Sequence, residues 1–190
     1  MRKLLALLFL TITLGMAQGA HAGPFEDGQA AWGRGDYATA LSLFRPLAAQ
    51  GNASAQYGLG VMYKNGQGVV QDHKEAVKWY RLAAAQGDAK AQNNLGVMYD
   101  LGQGVIQNYV RAHMWFNLSA SNGNTEASKY RDEVAAKITS AQIQQAREIA
   151  QRCQASSYKQ CGETEIAAAV PSAPKSIGST VLRLFRESSG

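Results

Sequence analysis

Cysteine is nearly absent from this sequence: Cys153 and Cys161 are the only two among 190 residues. There is no Cys-x-x-Cys pair and no histidine at ligand spacing from either thiol. A redox site and a zinc site are therefore not expected, and no metal or cofactor is predicted. Long apolar runs are also missing beyond the first residues. Leu4 to Met16 is the one marked stretch, and it falls short of the roughly 20 residues that span a bilayer. It follows Arg2-Lys3 and precedes Ala20-His21-Ala22, which is the layout of an export signal cleaved before Gly23. Residues 1–22 are thus predicted to be a signal peptide. The remainder is expected to be soluble, without an integral membrane segment, in the periplasm or beyond the cell. In such an oxidising compartment two thiols eight positions apart most simply form one local disulfide that staples a chain end. Dense positive charge is lacking as well. The 19 Lys and Arg against 14 Asp and Glu are spread along the chain, which argues against nucleic acid as a partner.

What is present is a period. Ala48-Ala49-Gln50-Gly51 returns as Ala84-Ala85-Gln86-Gly87, 36 positions later. Leu59-Gly60-Val61-Met62-Tyr63 returns as Leu95-Gly96-Val97-Met98-Tyr99, and Gly66-Gln67-Gly68-Val69 as Gly102-Gln103-Gly104-Val105, at the same offset. Each unit reads as two helices. Ala55, Leu59, Met62 and Tyr63 recur at helical spacing over about 53–64. The glycines after Asn65 stop that helix, and Asp72 with Glu75 forms a capping pair for the next. Ala76, Trp79, Tyr80, Ala83 and Ala84 make its buried face, and Gly87 ends it. Helices near 89–100 and 108–121 repeat the plan. Gly60 and Gly96 lie inside helices, where glycine is costly; the expectation is that a neighbouring helix backbone approaches there.

Neither hairpin covers its aromatic face alone, so the fold is predicted to be all-α, built by stacking helix-turn-helix units. The expected organisation is a degenerate N-terminal repeat over 23–51, with Pro46 inside its second helix and a kink expected there, and two full repeats over 52–87 and 88–123. Capping helices carrying the Cys153–Cys161 bridge follow over 124–161. The Ala-, Pro- and Ser-rich residues 162–190 are expected to be a disordered tail.

Residues that suggest chemistry read more simply as structure. Gly66-x-Gly68 and Gly102-x-Gly104 follow helices and lack the Gly-Lys-Ser/Thr ending of a phosphate loop. His73 and His113 have no cluster of ligands around them and are expected at the surface or rim. Asp72 and Glu75 are explained by capping. Ser54 and Ser119 have no nucleophile motif around them, and Trp79 and Trp115 are expected to pack between helices. No catalytic residue is predicted, and the chain is not expected to be an enzyme.

Residues 48–69, Ala-Ala-Gln-Gly-Asn-Ala-Ser-Ala-Gln-Tyr-Gly-Leu-Gly-Val-Met-Tyr-Lys-Asn-Gly-Gln-Gly-Val, and their copy at 84–105 resemble the Sel1-like repeat, a cousin of the tetratricopeptide repeat. The resemblance is specific from about Leu47 to Asn122 and fades over 25–153. It implies a right-handed α/α superhelix (solenoid) acting as an adaptor or scaffold in protein complexes, with first helices lining the concave side. Some cysteine-rich relatives are associated with β-lactam binding, but they carry cysteine pairs within each repeat, which the two full repeats here lack. Positions off the packed face then become candidates for binding a protein or peptide: Gln56, Tyr57, Lys64, Gln92, Asn93, Asn94 and Asp100, with Tyr57 as the best single anchor. The function expected is a non-enzymatic interaction scaffold in the bacterial cell envelope, working as a monomer and binding a protein or peptide partner through the concave repeat surface. A secreted effector or host-interaction protein, and a cell-wall or β-lactam-acting enzyme, stand as alternatives.

Overall fold

The computed structural model describes residues 23–159 and 161. Eight helices and no strands occur among them: α1 (Pro24–Gly33), α2 (Tyr37–Ala49), α3 (Ala53–Asn65), α4 (His73–Ala84), α5 (Ala89–Leu101), α6 (Tyr109–Ser121), α7 (Thr125–Ala135) and α8 (Ser140–Ala155). Capping chemistry sets most of the starts. The side chains of Asp36, Asn52, Asp72, Asp88, Asn108 and Asn124 each accept a hydrogen bond from a backbone N–H in the first turn of the following helix, groups that otherwise have no helical partner. Thr139 and Gln142 complete a reciprocal capping box on α8. Gly66 and Gly102 end α3 and α5 at φ of 70° and 69°, left-handed conformations that penalise any side chain bearing a Cβ. Helix α2 continues past Pro46 to Ala49.

The helices pair as α1/α2, α3/α4 and α5/α6, and successive hairpins stack through α2 on α3 and α4 on α5. This is an all-α repeat superhelix. The pattern then changes: α7 and α8 both rest on α6 instead of forming a further hairpin of the same kind. Two apolar clusters result, one around Phe44, Leu59 and Met62, the other running from Tyr80 through Leu95, Met98 and Phe116 to Ile149 and Cys153. Burial of each such large side chain contributes about 1.5–3 kcal/mol.

Three repeated contacts fix each hairpin and its stacking on the next. A Cβ at Gly60 would meet the Tyr80 ring at 2.5 Å, and one at Gly96 would meet the Phe116 ring at 2.5 Å. What approaches these glycines is thus an aromatic ring from the second helix of the same unit, not a helix backbone as the sequence suggested. The Gly-x-Gly loops serve the next level. Gly68 lies against the backbone of Tyr37, and Gly104 against the carbonyl of His73, so each loop tucks under the start of the preceding unit's second helix.

The third contact is an amide clasp. Gln56 Nε2 donates to the Ala48 carbonyl at 3.0 Å, and Gln86 Nε2 donates to Gln56 Oε1 at 2.8 Å. One unit later, Gln92 Nε2 donates to the Ala84 carbonyl at 3.2 Å, and Asn122 Nδ2 donates to Gln92 Oε1 at 2.9 Å. Each glutamine joins the helix before it to the helix after it and gives a second donor to a helix-end carbonyl that already accepts from the backbone N–H of Gly51 or Gly87.

At the C-terminal end Cys153 and Cys161 form a disulfide with Cα atoms 5.0 Å apart. The bridge holds the turn in which Tyr158, at φ 64°, donates from its hydroxyl to Asn122 Oδ1 at 2.8 Å. The staple expected from the two thiols therefore also fastens the last helix to the end of α6.

Candidate binding groove on the first helices

The first helices α1, α3, α5 and α7 form a wall with two adjoining hollows. One, of about 300 Å3, is lined by Phe25, Gln29 and Trp32 of α1, Ser54 and Tyr57 of α3, and Asp88 to Lys90, with Phe44 at its base. The other, of about 620 Å3, runs from Tyr57 through Ala89, Lys90, Asn93 and Asn94 of α5 to Asn124, Thr125 and Glu126 at the start of α7. Tyr57, Ala89 and Lys90 border both, so the hollows form one groove running from α1 across α3 and α5 to the start of α7.

Tyr57 sits at the junction. Its ring packs on Tyr80 with centroids 6.1 Å apart, and its hydroxyl is engaged with Asn94. Burial raises its pKa above the ordinary tyrosine value, partly offset by that hydrogen bond, so the hydroxyl stays protonated at neutral pH. Phe25 and Trp32 lean on Phe44 at 5.6 and 6.1 Å, giving the first hollow an aromatic floor. The second hollow is different in kind, being lined by the amides of Asn93, Asn94, Asn122 and Asn124 between Lys90 and Glu126. Asn93 Oδ1 is buried without a hydrogen-bond partner among the described residues. A carboxamide offers donors and an acceptor together, as a peptide backbone does. No group of three His, Cys, Asp or Glu side chains placed to hold a metal occurs among the described residues.

The family model for the Sel1 repeat matches residues 23–52, 53–88 and 89–124, more than half of the sequence. The chain belongs to the Sel1 repeat family. The unit over 23–51 that reads as degenerate in sequence lies within the first match. Among solved structures, c5321, described as a protective antigen present in uropathogenic Escherichia coli strains and displaying an SLR fold, is similar with a TM-score of 0.67 at 30% identity. The similarity covers 80% of this chain and 34% of that one. A Sel1 repeat protein from Oxalobacter formigenes is similar with a TM-score of 0.54 at 34% identity, covering 57% of this chain and 43% of that one. The chain thus spans less than half the length of either. No curated protein matches it. Sel1 repeat proteins generally act in protein–protein interaction and are of a generally non-enzymatic, scaffold type.

Within this Sel1 array the expected binding positions separate into three groups. Tyr57, Asn93 and Asn94 come together in the groove. Gln56 and Gln92 do not belong there: they are 4% and 0% exposed, because the clasp turns both amides inward. Lys64 and Asp100 lie at the far ends of α3 and α5 and line neither hollow. The Lys64 and Asp100 carbonyls accept from Gln71 and Gln107, and the Asp100 carboxylate pairs with Lys137 of the cap at 2.7 Å. His113, expected at the surface or rim, is 1% exposed. Burial first, then the charges of Arg131 and Arg147, lower its pKa to about 4, so it is a neutral core residue at physiological pH. Trp115 is buried as expected, while Trp79 is only half-buried.

The sequence reading missed Lys90, Glu126 and the aromatic floor. A signal for the first two exists. Ser54, Lys90 and Glu126 occupy equivalent positions 36 residues apart, each near the start of a first helix, and all three line the groove. Phe25 and Trp32 carry no comparable signal, since the link from α1 to α2 (34–36) is shorter than that from α3 to α4 (66–72), which takes α1 out of the 36-residue register.

Proposed function

We propose that the chain is a non-enzymatic adaptor of the bacterial cell envelope, exported to the periplasm by cleavage of residues 1–22. In this reading the groove on the first helices holds an extended segment of a partner protein. The observation that carries it is the pairing of two unlike hollows at Tyr57: an aromatic floor suited to an apolar side chain, beside an amide-rich wall suited to main-chain groups. That combination gives both contact area and orientation. The repeat scaffold supplies the rigid backing that lowers the entropic cost of capture.

The test is affinity capture from envelope extract at physiological salt, comparing the parent with a Tyr57→Ala/Lys90→Glu variant whose helicity and melting are checked by circular dichroism. A partner retained by the parent and lost by the folded variant is the expected result. Equal retention by both removes the groove from the proposal. A second reading, a secreted protein that contacts a host, draws on the likeness to the protective antigen of uropathogenic Escherichia coli. Fractionation of periplasm against culture medium separates the two, since the adaptor reading requires the protein to remain with the envelope.

A further inference from the structure

The disulfide reaches the groove on the first helices through two side chains. Cys153, in the last turn of α8, is fully buried. Its partner Cys161 is half-buried and lines a hollow of about 240 Å3 together with Ala85, Trp115 and Tyr158. Between the two cysteines the chain turns with Ser157 and Tyr158 at φ of 50° and 64°. Such left-handed conformations disfavour residues bearing a Cβ and persist only where the surroundings impose them. Here the Tyr158 N–H donates to the Cys153 carbonyl at 2.8 Å, and the bridge closes the turn from its other side.

The turn delivers Tyr158 to Asn122. Tyr158 Oη donates to Asn122 Oδ1 at 2.8 Å, and the ring stands over Gly87, where an added Cβ would meet it at 3.2 Å. Asn122 Nδ2 in turn donates to Gln92 Oε1 at 2.9 Å and reaches the Gly87 carbonyl at 3.4 Å. Asn122 is also a wall of the larger hollow, beside Asn93 and Asn124. The preceding clasp has no such lock. Gln86, 36 positions earlier, donates to Gln56 Oε1 in the same way, but it is exposed, and no group donates to its side-chain oxygen among the described residues. With its amide held at both the oxygen and the nitrogen, Asn122 presents one fixed orientation to the groove.

We propose that the Cys153–Cys161 disulfide, acting through Tyr158 as a positioning residue, sets the amide wall of the groove, and that reduction by a dithiol loosens that wall. This regulation rests on the reading of the groove as the binding surface. The chemistry is thiol–disulfide exchange. A thiolate of the dithiol attacks Cys161 Sγ, since Cys161 lines the hollow while Cys153 is buried. A mixed disulfide forms, the bond to Cys153 breaks, and Cys153 leaves with the electron pair and takes up a proton. The second thiolate of the dithiol then attacks its own bound sulfur, and Cys161 leaves and is protonated. Two electrons and two protons thus pass from the dithiol, which ends as a disulfide. The turn loses its outer closure, the left-handed residues relax, and Asn122 loses the donor that fixed its oxygen.

The experiment is hydrogen–deuterium exchange read by mass spectrometry on the chain from Gly23 to Gly190, before and after dithiothreitol, with alkylation of a parallel sample to confirm that both cysteines are free. Loss of about one hydrogen bond predicts exchange about three- to ten-fold faster over the end of α6 and the start of α7 (119–126), with α3 and α4 unchanged. Tyr158→Phe, its bridge intact, is expected to exchange there at the rate of the reduced parent, and reduction is expected to add nothing more. Cys153→Ser/Cys161→Ser is expected to match the reduced parent without any dithiol. Unchanged exchange over 119–126 overturns the proposal, as does a bridge that dithiothreitol leaves intact in the folded protein. So does an equal acceleration in α3 and α4, the mark of a bridge that only holds the fold, or a reduction effect of full size in Tyr158→Phe. Exchange needs no partner, so the switch can fail while capture through the groove succeeds, and the reverse.

Discussion

Gly96 offers the sharpest test of how the units are held. A methyl group there would lie 2.5, 2.6 and 2.9 Å from Cε1, Cδ1 and Cζ of Phe116. To restore an ordinary contact of 3.4 Å the ring must retreat by about 0.9 Å. It has nowhere to go: Phe116 is 1% exposed, and its ring rests on Tyr130 of α7 with centroids 5.6 Å apart. Overpacking costs about 1–3 kcal/mol, and three contacts under 3.0 Å on a ring held from its far side put this one at the upper end, about 2–3 kcal/mol. Against it stands the gain of about 1 kcal/mol when alanine replaces glycine inside a helix. Gly96→Ala is therefore expected to lose about 1–2 kcal/mol net, a fall in Tm of roughly 2–8 °C for a chain of this size. Gly33, at the end of α1, is the control, because a Cβ there meets nothing within 4 Å; Gly33→Ala is expected to gain a few tenths to about 1 kcal/mol. Adding Phe116→Leu to Gly96→Ala makes room for the methyl, so the pair is expected to cost less than the sum of its parts. Urea unfolding followed by tryptophan fluorescence and circular dichroism measures all four. A Gly96→Ala variant as stable as the parent, with Gly33→Ala behaving as stated, refutes the ring-on-glycine account.

Two further expectations concern groups the fold turns inward. Gln92→Ala removes both halves of a clasp and leaves the Ala84 carbonyl without that donor, at a cost of about 2–3 kcal/mol in urea unfolding; a loss below about 0.5 kcal/mol would place the glutamine outside the stacking contacts. His113 carries a pH dependence. Its folded pKa of about 4 lies below the ordinary histidine value of 6.5, so as pH falls from about 6.5 toward 4 the unfolded chain takes up a proton that the folded one refuses. Stability attributable to His113 is whole above that window and falls by about 3 kcal/mol across it. His113→Leu is expected to flatten this part of the stability profile, and an unchanged slope would contradict the assignment.

The legible part of the molecule is the part that repeats. Offsets of 36 residues locate α3 to α6 within a residue or two, because glycine stops and asparagine or aspartate caps recur with them. Polarity misleads where a polar side chain has a buried partner. Gln56 and Gln92 look outward-facing as amides on amphipathic helices, yet each finds a helix-end carbonyl eight residues before it. Their identity at equivalent positions, when neighbouring positions differ, is the mark of an internal role. His113 fails for the same reason, since nothing in its flanking residues announces the packing of α7 and α8 over it. The cap is hardest to read: once the period stops after α6, the sequence no longer says which face of which helix the last two elements cover. In the groove, Tyr57, Asn93 and Asn94 are legible as variable positions off the packed stripe, whereas the aromatic floor depends on α1, whose unit departs from the pattern.

The clasp has a consequence for how such arrays change length. Each link of the three kinds, whether amide to carbonyl or loop to helix start between hairpins, or ring to glycine within one, reappears at the same spacing. A second copy of residues 53–88 inserted after Gln86-Gly87-Asp88 would bring matching halves to both of its seams. Elongation by whole modules thus preserves every junction, while insertion of any other length breaks one, so growth and shrinkage of the chain proceed in steps of a full hairpin.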